Sequence, residues 1–126
     1  MKKIYLLFSH KLTDEQIEDA NKNLNVYNFI YLPQNLQTLW SDIPPELETL
    51  NNYLSSIKNY LRLSCKKGDY VLIQGDFGAV VEMVEFSKNL GCIPVYATTK
   101  REVIETKQDD KIVKKSIFKH IRYRKY

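Results

Sequence analysis

A membrane-spanning helix needs about 18 consecutive apolar residues, and no stretch of this sequence approaches that. Cysteine is scarce. Cys65 and Cys92 stand alone, neither in a C-x-x-C pair, and the two histidines are not spaced to complete a zinc site with them. Both thiols are expected to be reduced and partly buried in a cytoplasmic protein. Neither has a neighbouring base to favour its thiolate, so neither is a strong nucleophile. The chain has no acidic cluster of the kind that holds catalytic magnesium. Any chemistry is therefore expected to proceed without a metal, and no cofactor is indicated. The phosphate-binding lysine loop and the full G-x-G-x-x-G pattern are both missing, as are internal repeats and low-complexity segments. Acid is missing from one end: residues 111–126 hold seven Lys/Arg and no Asp/Glu, whereas residues 1–110 hold 12 Lys/Arg and all 15 acids. The net charge of +4 thus divides into −3 and +7. A one-sided basic end suits an anionic partner, or it is a solvated tail.

What is present is ordinary globular composition: 126 residues, 44% apolar and 27% charged. That length suits one domain, residues 1–126, which buries roughly two-thirds of its unfolded surface and needs no covalent staple. Met1-Lys2-Lys3 leads into five largely apolar residues and then the polar Ser9, a first strand rather than a signal peptide.

Lys3–Phe8 is a continuous apolar run, the pattern of a strand buried on both faces. Thr13 and Gln16 form a capping-box pattern, and Ile17, Ala20 and Leu24 then fall on one helical face. A second strand spans Tyr27–Leu32, and residues 34–40 form a short helix with Leu36, Leu39 and Trp40. A long helix is expected from about Glu46 to Leu63, with Leu47, Leu50, Leu54, Ile57 and Leu61 as its core stripe. A third strand runs from Asp69 to Gln74. Gly75–Ala79 opens a helix with Val80, Met83, Val84 and Leu90 inward, ended by Gly91. Cys92–Ala97 is a fourth strand. Residues 102–107 and 111–118 form a hairpin about Gln108-Asp109-Asp110 that continues to Arg124. Strands alternating with helices imply right-handed βαβ units. The expected fold is α/β: a single Rossmann-like (CARF-like) open, mostly parallel sheet with helices on both faces and a C-terminal β-hairpin.

Such sheets bind ligands beyond the carboxyl ends of their strands. Three polar segments are expected there. Ser9-His10-Lys11 follows the first strand; His10 near neutral pH can transfer a proton, bind without reacting, or support the loop. Gly75-Asp76-Phe77-Gly78 allows close backbone approach at a helix N-terminus, although Asp76 equally suits a helix cap. Thr98, Thr99, Lys100 and Arg101 read as a loop after the fourth strand, either a phosphate clamp or solvated. On the last strand Phe118, His120, Arg122 and Arg124 alternate onto one expected face, which suits stacked bases and phosphates or an edge guarded by charge.

The segments Leu7–Thr13, Trp40–Glu46, Gly68–Ala79, Tyr96–Arg101 and Phe118–Tyr123 resemble a small family of CRISPR-associated accessory proteins of type III systems, the Csx-twenty family. The resemblance covers nearly the whole chain in order. It implies a role around cyclic oligoadenylate, the second messenger of type III immunity, which related ring nucleases cut. The expected activity is metal-independent cleavage of that ring, most simply cyclic tetra-adenylate, by its own 2′-hydroxyl, with His10 and Ser9 at the reacting phosphate. The alternatives are a binder that does not cleave and a general RNA-binding module. Cyclic tetra-adenylate has near-twofold symmetry, so a homodimer with the C-terminal hairpin near its interface is expected, with neither DNA nor membrane as a partner.

Overall fold

The computed structural model describes residues 2–126. Its elements run β1 (Lys3–Leu7), α1 (Asp14–Asp19) with a π-helical turn over Ala20–Leu24, β2 (Asn28–Tyr31), α2 (Gln34–Ser41), α3 (Ser55–Ser64), β3 (Tyr70–Ile73), α4 (Phe77–Asn89), β4 (Ile93–Gln108) and β5 (Lys111–Lys125). One five-stranded sheet has the order β2-β1-β3-β4-β5. The first four strands are mutually parallel and β5 is antiparallel to β4. The direction of winding reverses between β1 and β3, the neighbours at the centre of the parallel part.

Period-two alternation within β1 and β3 feeds two cores. Tyr5, Leu7, Val71 and Ile73 face α2, α3 and α4, where Trp40, Leu54, Ile57, Leu61 and Met83 cover them. Ile4, Leu6, Tyr70 and Leu72 face the other way, toward Ala20, Val26 and Tyr123. Helices therefore cover both faces of the sheet. Each such fully buried side chain contributes about 1.5–3 kcal/mol of transfer free energy, which is why the short central strands hold as an unbroken apolar run.

The local signals that close neatly are caps and turns. Thr13 accepts from the Gln16 backbone N–H at 3.2 Å, and Gln16 Oε1 accepts from the Thr13 N–H at 2.9 Å, so the capping box forms. Gly91 adopts φ +80°, the left-handed conformation expected after α4. Asp109 and Asp110, at φ +49° and +63°, make a two-residue hairpin turn whose twist matches its strands.

Three expectations need correction. The helix expected from Glu46 begins only at Ser55, and residues 44–54 are turns at 45–46 and 51–54 joined by irregular chain. Pro44-Pro45 and Asn51-Asn52 disfavour helix and no side chain caps its start. Leu50 and Leu54 still reach the core through a single turn, in which the Leu54 N–H donates to the Leu50 carbonyl at 2.9 Å, while Leu47 is left exposed. Thr98–Arg101 is not a loop: it lies within β4, paired with Arg122 through Phe118. The threonines and the following Val103 and Ile104 favour strand despite their polar neighbours. Finally, Phe118, His120, Arg122 and Arg124 do not simply alternate. Thr98 pairs with Arg122 but Thr99 with His120, so Ile121 has no opposite residue and the bulge resets the faces. His120 and Tyr123 consequently meet on the α1 side, their rings tilted by 54° with centroids 5.0 Å apart.

Candidate functional site

The loop leaving β1 is tied down at three points. The Gln37 amide, from α2, donates to the Phe8 carbonyl at 2.9 Å and to Ser41 Oγ at 3.0 Å. The Tyr31 hydroxyl, at the end of β2, accepts from the Leu12 N–H at 3.2 Å. The capping box at Thr13 then fixes the chain into α1. Ser9, His10 and Lys11 are left exposed between these ties. The His10 ring stands edge-on to Phe8 with centroids 5.4 Å apart. Together with Tyr31, Gln34, Gln37 and Ser41 these residues line an open pocket of about 340 Å³ at the carboxyl ends of β1 and β2. No carboxylate is among its described lining residues. Such a pocket offers aromatic surface to a base, amides and hydroxyls to its edges, and one cation to a phosphate. His10 is its one side chain suited to proton transfer at neutral pH.

On the other side of the same loop, Thr13, Asp14, Glu15 and Gln16 face Thr99, Phe118 and His120 across a groove of about 360 Å³. Here β5 is fastened to α1. His120 Nε2 lies 2.6 Å from Asp19 Oδ2, with the two side chains 5% and 11% exposed. Asn23 donates to the other Asp19 oxygen. The Tyr123 hydroxyl donates to the Gln16 carbonyl at 2.9 Å, and burial, with Asp19 nearby, pushes its pKa up so that it stays a donor. His120 Nδ1 is buried without a partner among the described residues. Both imidazole nitrogens are thus withdrawn from solvent, which fits a fastening better than proton exchange with a ligand.

The Gly75–Gly78 turn lies apart from both. Trp40 donates to the Gln74 carbonyl at 3.0 Å, and its ring sits 3.2–3.3 Å from where a Cβ on Gly75 would stand. Asp76 caps α4 by accepting from the Ala79 N–H at 3.0 Å. Phe77 is 92% exposed. Asp76 and Gly78 border a pocket that also contains Glu48 and Glu82, an acidic setting that repels phosphate. Lys100 and Arg101 stand out on the hairpin, Arg101 donating to Ser116 Oγ at 3.0 and 3.2 Å. Thr98 Oγ donates to the Arg122 carbonyl at 2.9 Å and accepts from its N–H at 3.2 Å, closing the bulge. The expected residues therefore fall in separate places: Ser9 and His10 in one pocket, Thr99 and His120 across the loop from it, and Asp76 and Gly78 elsewhere.

Residues 2–124 match the family described as "Uncharacterized protein MJ1673 family". The chain belongs to that family. Uncharacterized protein MJ1673 of Methanocaldococcus jannaschii is 56% identical over 126 residues, spanning all of this chain and 98% of the relative. No solved structure matches. The family membership covers both pockets and the hairpin, so the site belongs to a domain that this relative matches end to end.

Tyr31, Gln34, Gln37 and Ser41 were not legible as site residues. They come from β2 and α2, and only the parallel pairing of β1 with β2 brings them to Ser9 and His10. Asp19 was likewise hidden, since its partner lies 101 positions away. Both cysteines are free, and burial pushes both thiols up, which leaves them protonated and unreactive at neutral pH. Among the described residues no group of three or more His, Cys, Asp or Glu side chains is arranged around a metal site. No helix of the described residues is long and apolar enough to cross a membrane.

Proposed function

We propose that this protein binds a cyclic oligoadenylate in the pocket of Ser9, His10 and Lys11 and cleaves it without a metal, acting in the cytoplasm to switch off type III CRISPR signalling as the resemblance to the Csx-twenty family implies. The observation that carries the reading is the make-up of that pocket: aromatic rings, amides, hydroxyls and a lysine, with no carboxylate lining it. Its position supports the reading too. In a Rossmann-like (CARF-like) sheet the ligand crevice opens beyond the carboxyl ends where winding reverses, and the β1 loop leaves the sheet there.

In this reading adenine stacks against Tyr31, and Gln34 meets its polar edge. Lys11 neutralises a phosphate, and Lys100, Arg101 and Arg122 on the hairpin meet the phosphates farther around the ring. The ribose 2′-oxygen forms a bond to the adjacent phosphorus as the bond from phosphorus to the 5′-oxygen breaks. The 2′-hydroxyl proton leaves to a base and the 5′-oxygen takes one up, so a 2′,3′-cyclic phosphate and a free 5′-hydroxyl result. His10 serves one of these transfers, a contribution of about 100- to 10,000-fold in rate, and Ser9 orients the phosphate. The Gly75–Gly78 turn takes no part. A binder that holds the ring without cutting it is the second reading, favoured by a pocket with one histidine and no carboxylate beside it.

Calorimetric titration with cyclic tetra-adenylate tests the binding claim. Lys11→Ala is expected to weaken binding about tenfold or more, since removing a charge-assisted hydrogen bond to phosphate costs at least about 1.4 kcal/mol. A wild-type protein that gives no binding heat, or a Lys11→Ala variant of equal affinity, overturns the reading.

A further inference from the structure

We infer, on the reading that an adenylate binds the pocket of Ser9, His10 and Lys11, that Gln37 selects its base. The Gln37 amide oxygen accepts a hydrogen bond from the exocyclic amine of adenine and turns away a 6-oxopurine.

The orientation of this amide is set by the protein. Its nitrogen donates to the Phe8 carbonyl at 2.9 Å and to Ser41 Oγ at 3.0 Å. A carbonyl oxygen can only accept, so the nitrogen must face Phe8, and both of its N–H groups are committed. Turning the amide over would set two acceptors against each other at that distance. Gln37 Oε1 is buried and has no hydrogen-bond partner among the described residues. Buried side-chain oxygens in folded proteins are nearly always paired. Gln37 lines the pocket, and the partner its oxygen lacks is a donor.

The side chains that share the pocket with it, Ser9, Lys11 and Gln34, lie at the surface, so an entering base displaces them and no core residue. Tyr31 supplies the platform. Its hydroxyl accepts from the Leu12 N–H at 3.2 Å, which pins the exposed ring at the end of β2. Gln34 and Gln37 stand at i and i+3 on one face of α2, so two amides meet one edge of a base stacked there. Adenine presents an amine donor beside a ring-nitrogen acceptor. Gln37 Oε1 takes the amine, and the Gln34 amide donates to the ring nitrogen. Hypoxanthine and guanine carry an oxygen in place of that amine. The exposed Gln34 can turn its amide over to suit either edge. Gln37 cannot, because Phe8 holds it, so the 6-oxygen meets another acceptor and Oε1 stays unpaired. A buried polar group left unpaired rejects the wrong ligand far more strongly than a small change of shape does.

Titration of the full chain with adenosine 5′-monophosphate, followed by nuclear magnetic resonance through the His10 imidazole, tests this. The mononucleotide carries a base and a phosphate without the ring, and His10 reports binding at this pocket. The wild type is expected to bind it about tenfold or more tighter than inosine 5′-monophosphate. The same margin is expected over purine riboside 5′-monophosphate, which has hydrogen in place of the amine. Gln37→Met keeps the length of the side chain and removes the amide, and it is expected to bind all three within about threefold of one another. Equal affinities in the wild type, or no saturable shift at about 10 mM, overturn the inference whether or not the variant folds. So does a folded variant that keeps the wild-type preference. A protein that prefers the adenosine nucleotide but does not bind cyclic tetra-adenylate upholds the role of Gln37 and overturns the ring reading. A ring that binds while the three mononucleotides bind equally does the reverse.

Discussion

Replacing His120 with alanine removes a buried contact that joins β5 to α1, and its cost follows from the geometry. The bond from Nε2 to Asp19 is 2.6 Å long, and a hydrogen bond to a charged group contributes about 1.5–3 kcal/mol. The Asp19 carboxylate then loses a partner while nearly buried. A fully buried charge stripped of its partner costs about 3–5 kcal/mol. Asp19 keeps its bond from Asn23 and is 11% exposed, so water relieves part of this. The expected loss is therefore about 2–3 kcal/mol. Trp40 is buried against Gly75 and reports unfolding by its fluorescence. With a urea slope of about 1.5 kcal/mol/M the midpoint falls by roughly 1–2 M. His10→Ala, at an exposed loop position, shifts stability by less than about 0.5 kcal/mol. A His120→Ala variant as stable as wild type would refute the fastening and free His120 for a role at the ligand. A double-mutant cycle with Asp19→Asn should show coupling of at least about 1 kcal/mol; independent, additive effects would contradict the pairing.

Gly75→Ala pushes a Cβ to 3.2–3.3 Å from the Trp40 ring and should cost about 1–3 kcal/mol in urea unfolding, whereas Gly78→Ala meets ordinary contacts at 3.6 Å and should be neutral or slightly stabilising within α4. Equal effects at the two positions would contradict the packing described. Neither Cys65 nor Cys92 should react with a disulfide reagent near neutral pH until the protein unfolds, because burial keeps both thiols protonated; prompt native-state labelling would be the contrary result. Burial, with Asp69 nearby, pushes the Tyr5 phenol up to about 12, and burial raises Tyr123 as well. The folded state holds these protons more tightly than an unfolded phenol with a pKa of about 10. The associated stability is complete below that value and is lost as pH rises through about 10 to 12, so the urea midpoint should fall between about pH 9 and about pH 11. A midpoint that rises over this interval would count against it.

Much of the fold was legible because local signals agreed with one another. The apolar run of β1, the capping box at Thr13, Gly91 after α4 and the Asp109-Asp110 turn each act within a few residues. The errors arose where tertiary context decides. The Leu47–Leu61 stripe has helical spacing, yet prolines and asparagines prevent the helix before Ser55. Thr98–Arg101 is polar enough to read as a loop, and only pairing with β5 makes it strand. The bulge opposite Thr98 and Thr99 is invisible in the pattern of β5, yet it decides which way His120 points. The candidate site shows the same division. Ser9 and His10 were found by their place after β1, whereas Tyr31, Gln34 and Gln37 join them only through strand order.

Turnover of a cyclic oligoadenylate at the pocket of Ser9, His10 and Lys11 can be measured directly. Labelled cyclic tetra-adenylate is incubated with the wild-type protein in EDTA and the products are separated. Linear products ending in 2′,3′-cyclic phosphate are expected, formed at least about 100-fold more slowly in single turnover by His10→Ala, with affinity for the ring changed by only a few-fold. Bound but intact ligand after prolonged incubation, or cleavage that is unaffected by His10→Ala and abolished by a folded His120→Ala variant, would contradict the proposed reaction.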